Sequence, residues 1–236
     1  MRFEKIRLYL STPRIGRYLQ ATGNSKSKAS RLYKANLKIS QSFLPVIAVL
    51  EVTLRNRINT ILTAHFSDPD WIINQKNGFM VDPSLTHTDK RTEKNIINRY
   101  LKSEVEKAEK RILKSGVVVT SGKIISEQTF GFWTDLYEVH HYKILFGRPI
   151  QIFSNLPPGH GRKEVNDGLN KIRLFRNRLY HNEPICFNGV AKDFQHAEDV
   201  HNLIISMLTW IDTDLVDWIS NIDEVKKQID RAKKIL

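Results

Sequence analysis

Cysteine is almost missing from this chain of 236 residues, where Cys186 stands alone. A single cysteine excludes an intramolecular disulfide and any multi-cysteine zinc site. Uninterrupted apolar runs of about eighteen residues are missing too, so no transmembrane helix is expected. The N-terminal stretch, MRFEKIRLYLSTPRIGRYLQ, carries too many charges for a secretory signal. The expected address is therefore a reducing cytoplasm, without membrane attachment. Internal repeats at solenoid periods and low-complexity tracts are also absent.

What is present is ordinary globular material with an excess of positive charge. Hydrophobic residues make up 41% and charged residues 26%, which argues against wholesale disorder. Thirty-seven Lys and Arg against 25 Asp and Glu leave a formal charge of +12. A surface this basic concentrates polyanions, with nucleic acid the first candidate and an anionic membrane the second.

The hydrophobic periodicity is helical almost throughout. Ser11-Thr12-Pro13 predicts a helix with Ser11 as N-cap and the proline in its first turn, ending near Thr22 before Gly23-Asn24. A lysine-rich stretch from Ser25 leads into a helix from Ala29 to about Ser40. Residues 41 to 66 read as a separate, strongly apolar helix with Pro45 tolerated in its first turns. Ile47, Leu50, Leu54, Ile58 and Ile61 form its stripe, and Glu51, Arg55 and Asn59 a polar ladder beside it. Residues 67 to 89 are loop-like, anchored by Trp71, and a charged helix follows from Asp89 to Ser115. Val117 to Ser126 reads either as a small hairpin or as an extended connection. Residues 127 to 146 are aromatic-rich and helical, with Gly131 between Phe130 and Phe132 implying close packing of backbone against a neighbour. Helices over Arg162–His181, Asp193–Ile219 and Asp223–Leu236 complete the chain. The fold class is all-α, a single domain over residues 1–236 with an insertion near residues 67–126.

The chemistry concentrates in LNKIRLFRNRLYHNEPI, Leu169 to Ile185. Val165, Leu169, Ile172, Phe175 and Leu179 are its apolar stripe, which Arg176 abuts. Arg173, Asn177 and His181 line the neighbouring face. An arginine beside a core stripe is costly unless it is paired or used. At about 100° per residue, Asn177 and His181 lie about 40° apart and Arg176 and His181 about 140° apart. Asn177 can thus orient His181, whereas Arg176 joins them only if a substrate, the helix end or a second subunit brings the groups together. Histidine is the side chain that changes charge near neutral pH, and it can give or take a proton there. Arginine neutralises a phosphoryl transition state. Such a pair needs neither metal nor cofactor to cleave RNA, because the 2′-hydroxyl is the nucleophile.

RNRLYHNEP, preceded by LRNRIN after an apolar helix and by TFGFW between them, resembles the abortive-infection (Abi-like) proteins, a branch of the HEPN superfamily of helical ribonucleases. The opening YLSTPRIGRYLQATGNSKSKASRLYKANLKIS is similar as well, so the resemblance spans nearly the whole chain. The family's Arg-Asn…His motif falls on Arg176, Asn177 and His181, and its Glu-x-x-x-Arg-Asn element on Glu51, Arg55 and Asn56. The resemblance implies a HEPN-like helical bundle and a metal-independent endoribonuclease that leaves a 2′,3′-cyclic phosphate. It also implies a toxin or effector in phage defence, restrained by an antitoxin or a small RNA. A homodimer is implied too, with His181 of one subunit and Arg176 of the other flanking one scissile phosphate. LRNRIN is not a second catalytic motif, because Thr60 stands where a histidine would be needed. Glu51, Arg55 and Asn56 are then residues that support Arg176 or Asn177 or touch RNA. Arg173, Tyr180, Asn182 and Glu183 flank the site.

A second function fits the same residues: a non-catalytic RNA-binding protein that holds a small regulatory RNA. The remaining candidates are weaker. His140 and His141 are adjacent and so face different ways, which does not suit a metal. His196, Asp199 and His201 have no metal-ligand spacing, and Cys186 reads as a small apolar residue. Gly159-His160-Gly161-Arg162-Lys163 is either a plain helix start or a basic loop for a phosphate.

Overall fold

The computed structural model describes residues 2–88 and 91–235. The protein is helical over 71% of its length, with 4% strand. In chain order the helices begin with α1 (Phe3–Leu10), α2 (Thr12–Gln20), α3 (Lys26–Phe66) and α4 (Trp71–Asn74). Three single-turn 3-10 helices then lead to a short antiparallel pair, β1 (Thr86–Thr88) and β2 (Asn95–Ile97). Next come α5 (Tyr100–Lys114), α6 (Ser121–Glu127), α7 (Phe130–Asp135), α8 (Val139–Ile144) and α9 (Arg162–Tyr180). A second small hairpin, β3 (Phe187–Asn188) and β4 (Ala191–Lys192), precedes α10 (Gln195–Ile211), α11 (Thr213–Ile219) and α12 (Val225–Ile235).

The chain forms two compact units. The first comprises Met1–Leu50, Leu174–Thr209 and Thr213–Leu236, and the second Glu51–Arg173 with Trp210–Asp212. In the first unit, α3 buries Ala29, Leu32, Ile39, Phe43, Val46 and Leu50 along one stripe. Phe43 meets Phe175 of α9 with ring centroids 4.7 Å apart. Val200, Ile204 and Met207 of α10 and Val225 and Ile229 of α12 complete that core. In the second unit, Leu54, Ile58 and Leu62 of α3, Leu101 and Val105 of α5, Phe132 and Trp133 of α7, and Leu169 and Ile172 of α9 are buried. Phe66 stacks on Phe79 there, and Asn59 accepts the indole N–H of Trp71 at 2.9 Å.

Several elements differ from the sequence expectation, each for a local reason. The two helices expected over residues 29–66 are one helix of 41 residues with Pro45 inside it. A mid-helix proline costs about 3 kcal/mol, and the buried Phe43, Val46, Ile47 and Leu50 on either side of it offset that cost. The stripe ends on Leu62 rather than Ile61, as a period of 3.6 demands after Leu54 and Ile58. By length and composition α3 could cross a membrane, its best window having a mean hydropathy of 1.5; a buried core helix passes the same test.

The charged helix expected from Asp89 starts only at Tyr100. Asn98 Oδ1 accepts the Tyr100 N–H, and Asn95–Ile97 pair with Thr86–Thr88 in register Thr86↔Ile97. Ile96, expected on the helix's apolar edge, is accordingly 42% exposed on β2. Asp89 itself lies outside the described residues. Val117–Thr120 lie outside helix and strand, and Thr120, itself extended, caps α6 through its Oγ1 on the Lys123 N–H. The aromatic segment divides into α7 and α8, and the terminal helix is interrupted at Asp212. Helices stand where none was expected at α4 and α6 and at α1, which lies ahead of the cap at Ser11, whose hydroxyl does accept the Arg14 N–H.

Candidate functional site

The first-unit part of α9 carries the motif. Phe175 and Leu179 point into the core, 1% and 7% exposed, as the stripe requires. That orientation places Arg176 and Asn177 half-buried at its margin and Tyr180 and His181 at the surface. The guanidinium of Arg176 lies 4.3 Å from the centroid of the Tyr180 ring. This is a cation–π stack across one helical turn.

How α9 stops decides where His181 stands. Asn182 adopts a left-handed φ of 53°. Its N–H bonds to the Leu179 carbonyl at 3.0 Å, and the Glu183 N–H reaches back to the Arg178 carbonyl at 2.9 Å. These are the two bonds of a Schellman cap, with Asn182 in the position glycine usually takes. His181 is thereby the last residue before the reversal, with its N–H on the Asn177 carbonyl at 3.0 Å. Its ring is exposed, and the Asn177 side chain makes no hydrogen bond to it among the described residues.

Three further arginines pin the segment that follows. Arg178 donates to the Pro184 carbonyl at 2.6 Å and faces the Glu183 carboxylate at 3.4 Å. From α2, Arg14 donates to the Asn182 carbonyl at 2.9 Å and Arg17 to the Gly189 carbonyl at 2.6 Å. Arg17 also lies 4.5 Å over the Phe187 ring. The buried Asn36 of α3 accepts the Ile185 N–H at 2.9 Å. Sequence reasoning found none of these four partners. Arg14 and Asn182 are 168 residues apart, and no local pattern couples them. Beside this segment runs an open groove of about 530 Å³, lined among others by Arg17, Arg178, Phe187, His196 and Asp199. Arg176, Asn177 and His181 are not among its lining residues.

Glu51, Arg55, Asn56 and Arg173 belong to the second unit. Glu51 and Arg55 are half-buried on α3 one turn apart, and Asn56 is exposed. Arg173 donates through Nε and a terminal nitrogen to Asn170 Oδ1 at 3.2 and 3.0 Å. Its stem passes 3.8 Å from where a Cβ on Gly131 would be, and the Tyr100 phenol oxygen lies only 2.7 Å from that point. The glycine in TFGFW is thus a close-approach position, as its aromatic neighbours implied.

The two histidines that are buried among the described residues, His141 and His201, each pair with a carboxylate. His141 is 1% exposed and pairs through Nδ1 with Asp135 at 3.0 Å, while His140 is exposed. His201 is 2% exposed, with Nε2 2.6 Å from Asp223 Oδ2. Burial pushes the Asp223 carboxyl up, but hydrogen bonds from His201 and the Val225 N–H, with the His201 and Lys226 charges, hold it below its usual range. His196 lies edge-on to Phe175, and Asp199 accepts from Gln195. Cys186 is fully buried, and desolvation pushes its thiol up to about 12. It packs as the small apolar residue the sequence suggested.

No family model matches this chain, and no curated protein or solved structure matches it. What the site can do rests on its own groups: an exposed imidazole at a fixed helix end, and one turn back a guanidinium braced by an aromatic ring.

Proposed function

We propose that the protein is a metal-independent endoribonuclease, acting as a toxin or effector of phage defence. The reading is supported by the resemblance of RNRLYHNEP to the Abi-like branch of the HEPN superfamily and by the charge of +12. The observation that carries it is the placement of His181, exposed and held by the Schellman cap at the end of the helix that also bears Arg176 and Asn177.

In the proposed reaction the 2′-oxygen attacks the adjacent phosphorus. The O2′–P bond forms, the P–O5′ bond breaks, and the products are a 2′,3′-cyclic phosphate and a 5′-hydroxyl. One proton leaves the 2′-hydroxyl and one reaches the departing O5′. His181 performs one of these transfers. A homodimer supplies the second imidazole, from His181 of a second copy. Arg176 neutralises the charge that accumulates on the phosphorane oxygens, and Asn177 contacts the phosphate. Single-stranded or loop RNA is the substrate class, because its backbone can reach in-line geometry.

The test is incubation of purified protein with RNA in EDTA, with cyclic-phosphate ends as the readout. Cleavage by the wild type that is lost in His181→Ala, at unchanged helicity, supports the assignment. Equal cleavage by the variant overturns it. RNA retention without cleavage replaces it with the reading of a non-catalytic RNA-binding protein.

A further inference from the structure

A second basic feature of the first unit lies apart from the motif. Between Ser25 and Leu50 the chain carries Lys26, Lys28, Arg31, Lys34 and Lys38 and no acidic residue. Lys26 pairs with Glu4 at 2.7 Å. Arg31, Lys34 and Lys38 make no ion pair among the described residues. Their spacing of three and four puts them on one face of α3. That face meets α12 across a groove of about 220 Å³, where Arg231 joins the three cations over a floor of Ala35 and Ala232. Arg231 feels the nearby Glu224, but that carboxylate is hydrogen-bonded by Lys227 at 2.6 Å and by Gln228. The groove is therefore lined by four cationic side chains from two helices, with no carboxylate in its lining.

Seven residues of helix span about 10 Å, so the heads from Arg31 to Lys38 are spread along a track rather than gathered on one point. A single small anion would leave most of them unused. A membrane surface calls for bulky apolar side chains beside the cations, whereas this floor is made of alanines that are 8% and 1% exposed. A concave track of spaced cations over a small apolar floor suits a polyanion with a regular charge repeat and flat sugar and base faces.

We infer that the α3–α12 groove, lined by Arg31, Lys34, Lys38 and Arg231, binds the phosphate backbone of single-stranded RNA. This rests on RNA being the substrate of the motif, and it makes the groove the holding surface for a strand that is cut elsewhere. Contacts of this kind fix position and read no sequence.

The experiment measures binding of a 2′-O-methyl RNA oligonucleotide, which cannot be cut by 2′-oxygen attack, as salt is varied. The variant is Lys34→Gln with Arg231→Gln, both at exposed positions. The control is Lys110→Gln with Lys114→Gln, an equal change in charge on the exposed face of α5. The groove pair should weaken binding about tenfold and lower the slope of log affinity against log salt by about 1.4, or about 0.7 for each phosphate that is no longer neutralised. The control pair should bind as the wild type does. Equal losses in both pairs, no loss in the groove pair, or no RNA binding by the wild type overturns the groove. So does a groove-dependent affinity for phosphatidylserine vesicles without one for RNA. Cleavage of unmodified RNA is scored separately. Absence of cleavage with a groove-dependent affinity sinks the nuclease reading and leaves the groove standing. Persistent His181-dependent cleavage with an indifferent groove does the reverse.

Discussion

The guanidinium of Arg176 rests 4.3 Å above the ring of Tyr180, one turn further along α9. Tyr180 is 59% exposed and Arg176 half-buried, so the stack stands at the margin of the core rather than inside it. It limits the rotamers of a side chain that the proposed reaction needs at a phosphate.

An exposed cation–π contact contributes about 0.5–1 kcal/mol, or roughly a two- to fivefold change in a rate. Tyr180→Ala is expected to lower single-turnover RNA cleavage by about that factor, and Tyr180→Phe to leave it unchanged. Loss of rate in both variants would point to the hydroxyl rather than the stack.

Asn182 holds the left-handed turn that ends α9, with φ at 53°. Asn182→Gly should keep the turn and the stability. Asn182→Val should cost about 1–2 kcal/mol in urea unfolding, because a β-branched side chain clashes in that conformation. The valine variant should also lose cleavage beyond its loss of stability, since His181 is the residue the turn positions.

A side chain at Gly131 would have to displace the Tyr100 phenol. The Tyr100 phenol oxygen would stand 2.7 Å from an added Cβ. Gly131→Ala is expected to destabilise by about 1–3 kcal/mol. Tyr100→Phe removes the obstructing atom, so the double variant should lose less than the sum of the two single changes. Additive losses by thermal denaturation would place the strain elsewhere.

Asp223 ties the loop before α12 to the buried His201 at 2.6 Å. Its carboxyl is held below the ordinary aspartate value of 3.8 despite its burial. A depressed carboxyl contributes stability that is complete above the unfolded-state value and disappears as pH falls through the folded-state value. Acid unfolding should therefore include a loss below about pH 4 that is absent from Asp223→Asn. At neutral pH that variant should be destabilised by about 2 kcal/mol, the usual worth of a hydrogen bond to a charged group.

Helical class, the stripes on α3 and α9, the cap at Ser11, the glycine in TFGFW and the position of the Arg-Asn…His string were legible in the sequence. Helix periodicity and caps are interactions between residues three or four apart, so a linear pattern records them. The continuity of α3 through Pro45 was not legible, because burial on both sides overrode a local cost. The late start of α5 was hidden for a similar reason: the charged stretch before Tyr100 is strong helix material, but pairing of β2 with β1 holds part of it extended.

By itself, then, the sequence determined an all-α chain rich in positive charge, with a histidine placed at a helix end by the residues around it. Only the tertiary structure decided what holds that end. Arg14 on the Asn182 carbonyl, and beyond it Asn36 on the Ile185 N–H and Arg17 on the Gly189 carbonyl, are ties between segments distant in the chain, as is Asp223 on His201 elsewhere in the first unit. Their partners are chosen by how helices pack, and a buried or closely held polar group takes whichever partner packing brings within about 3 Å.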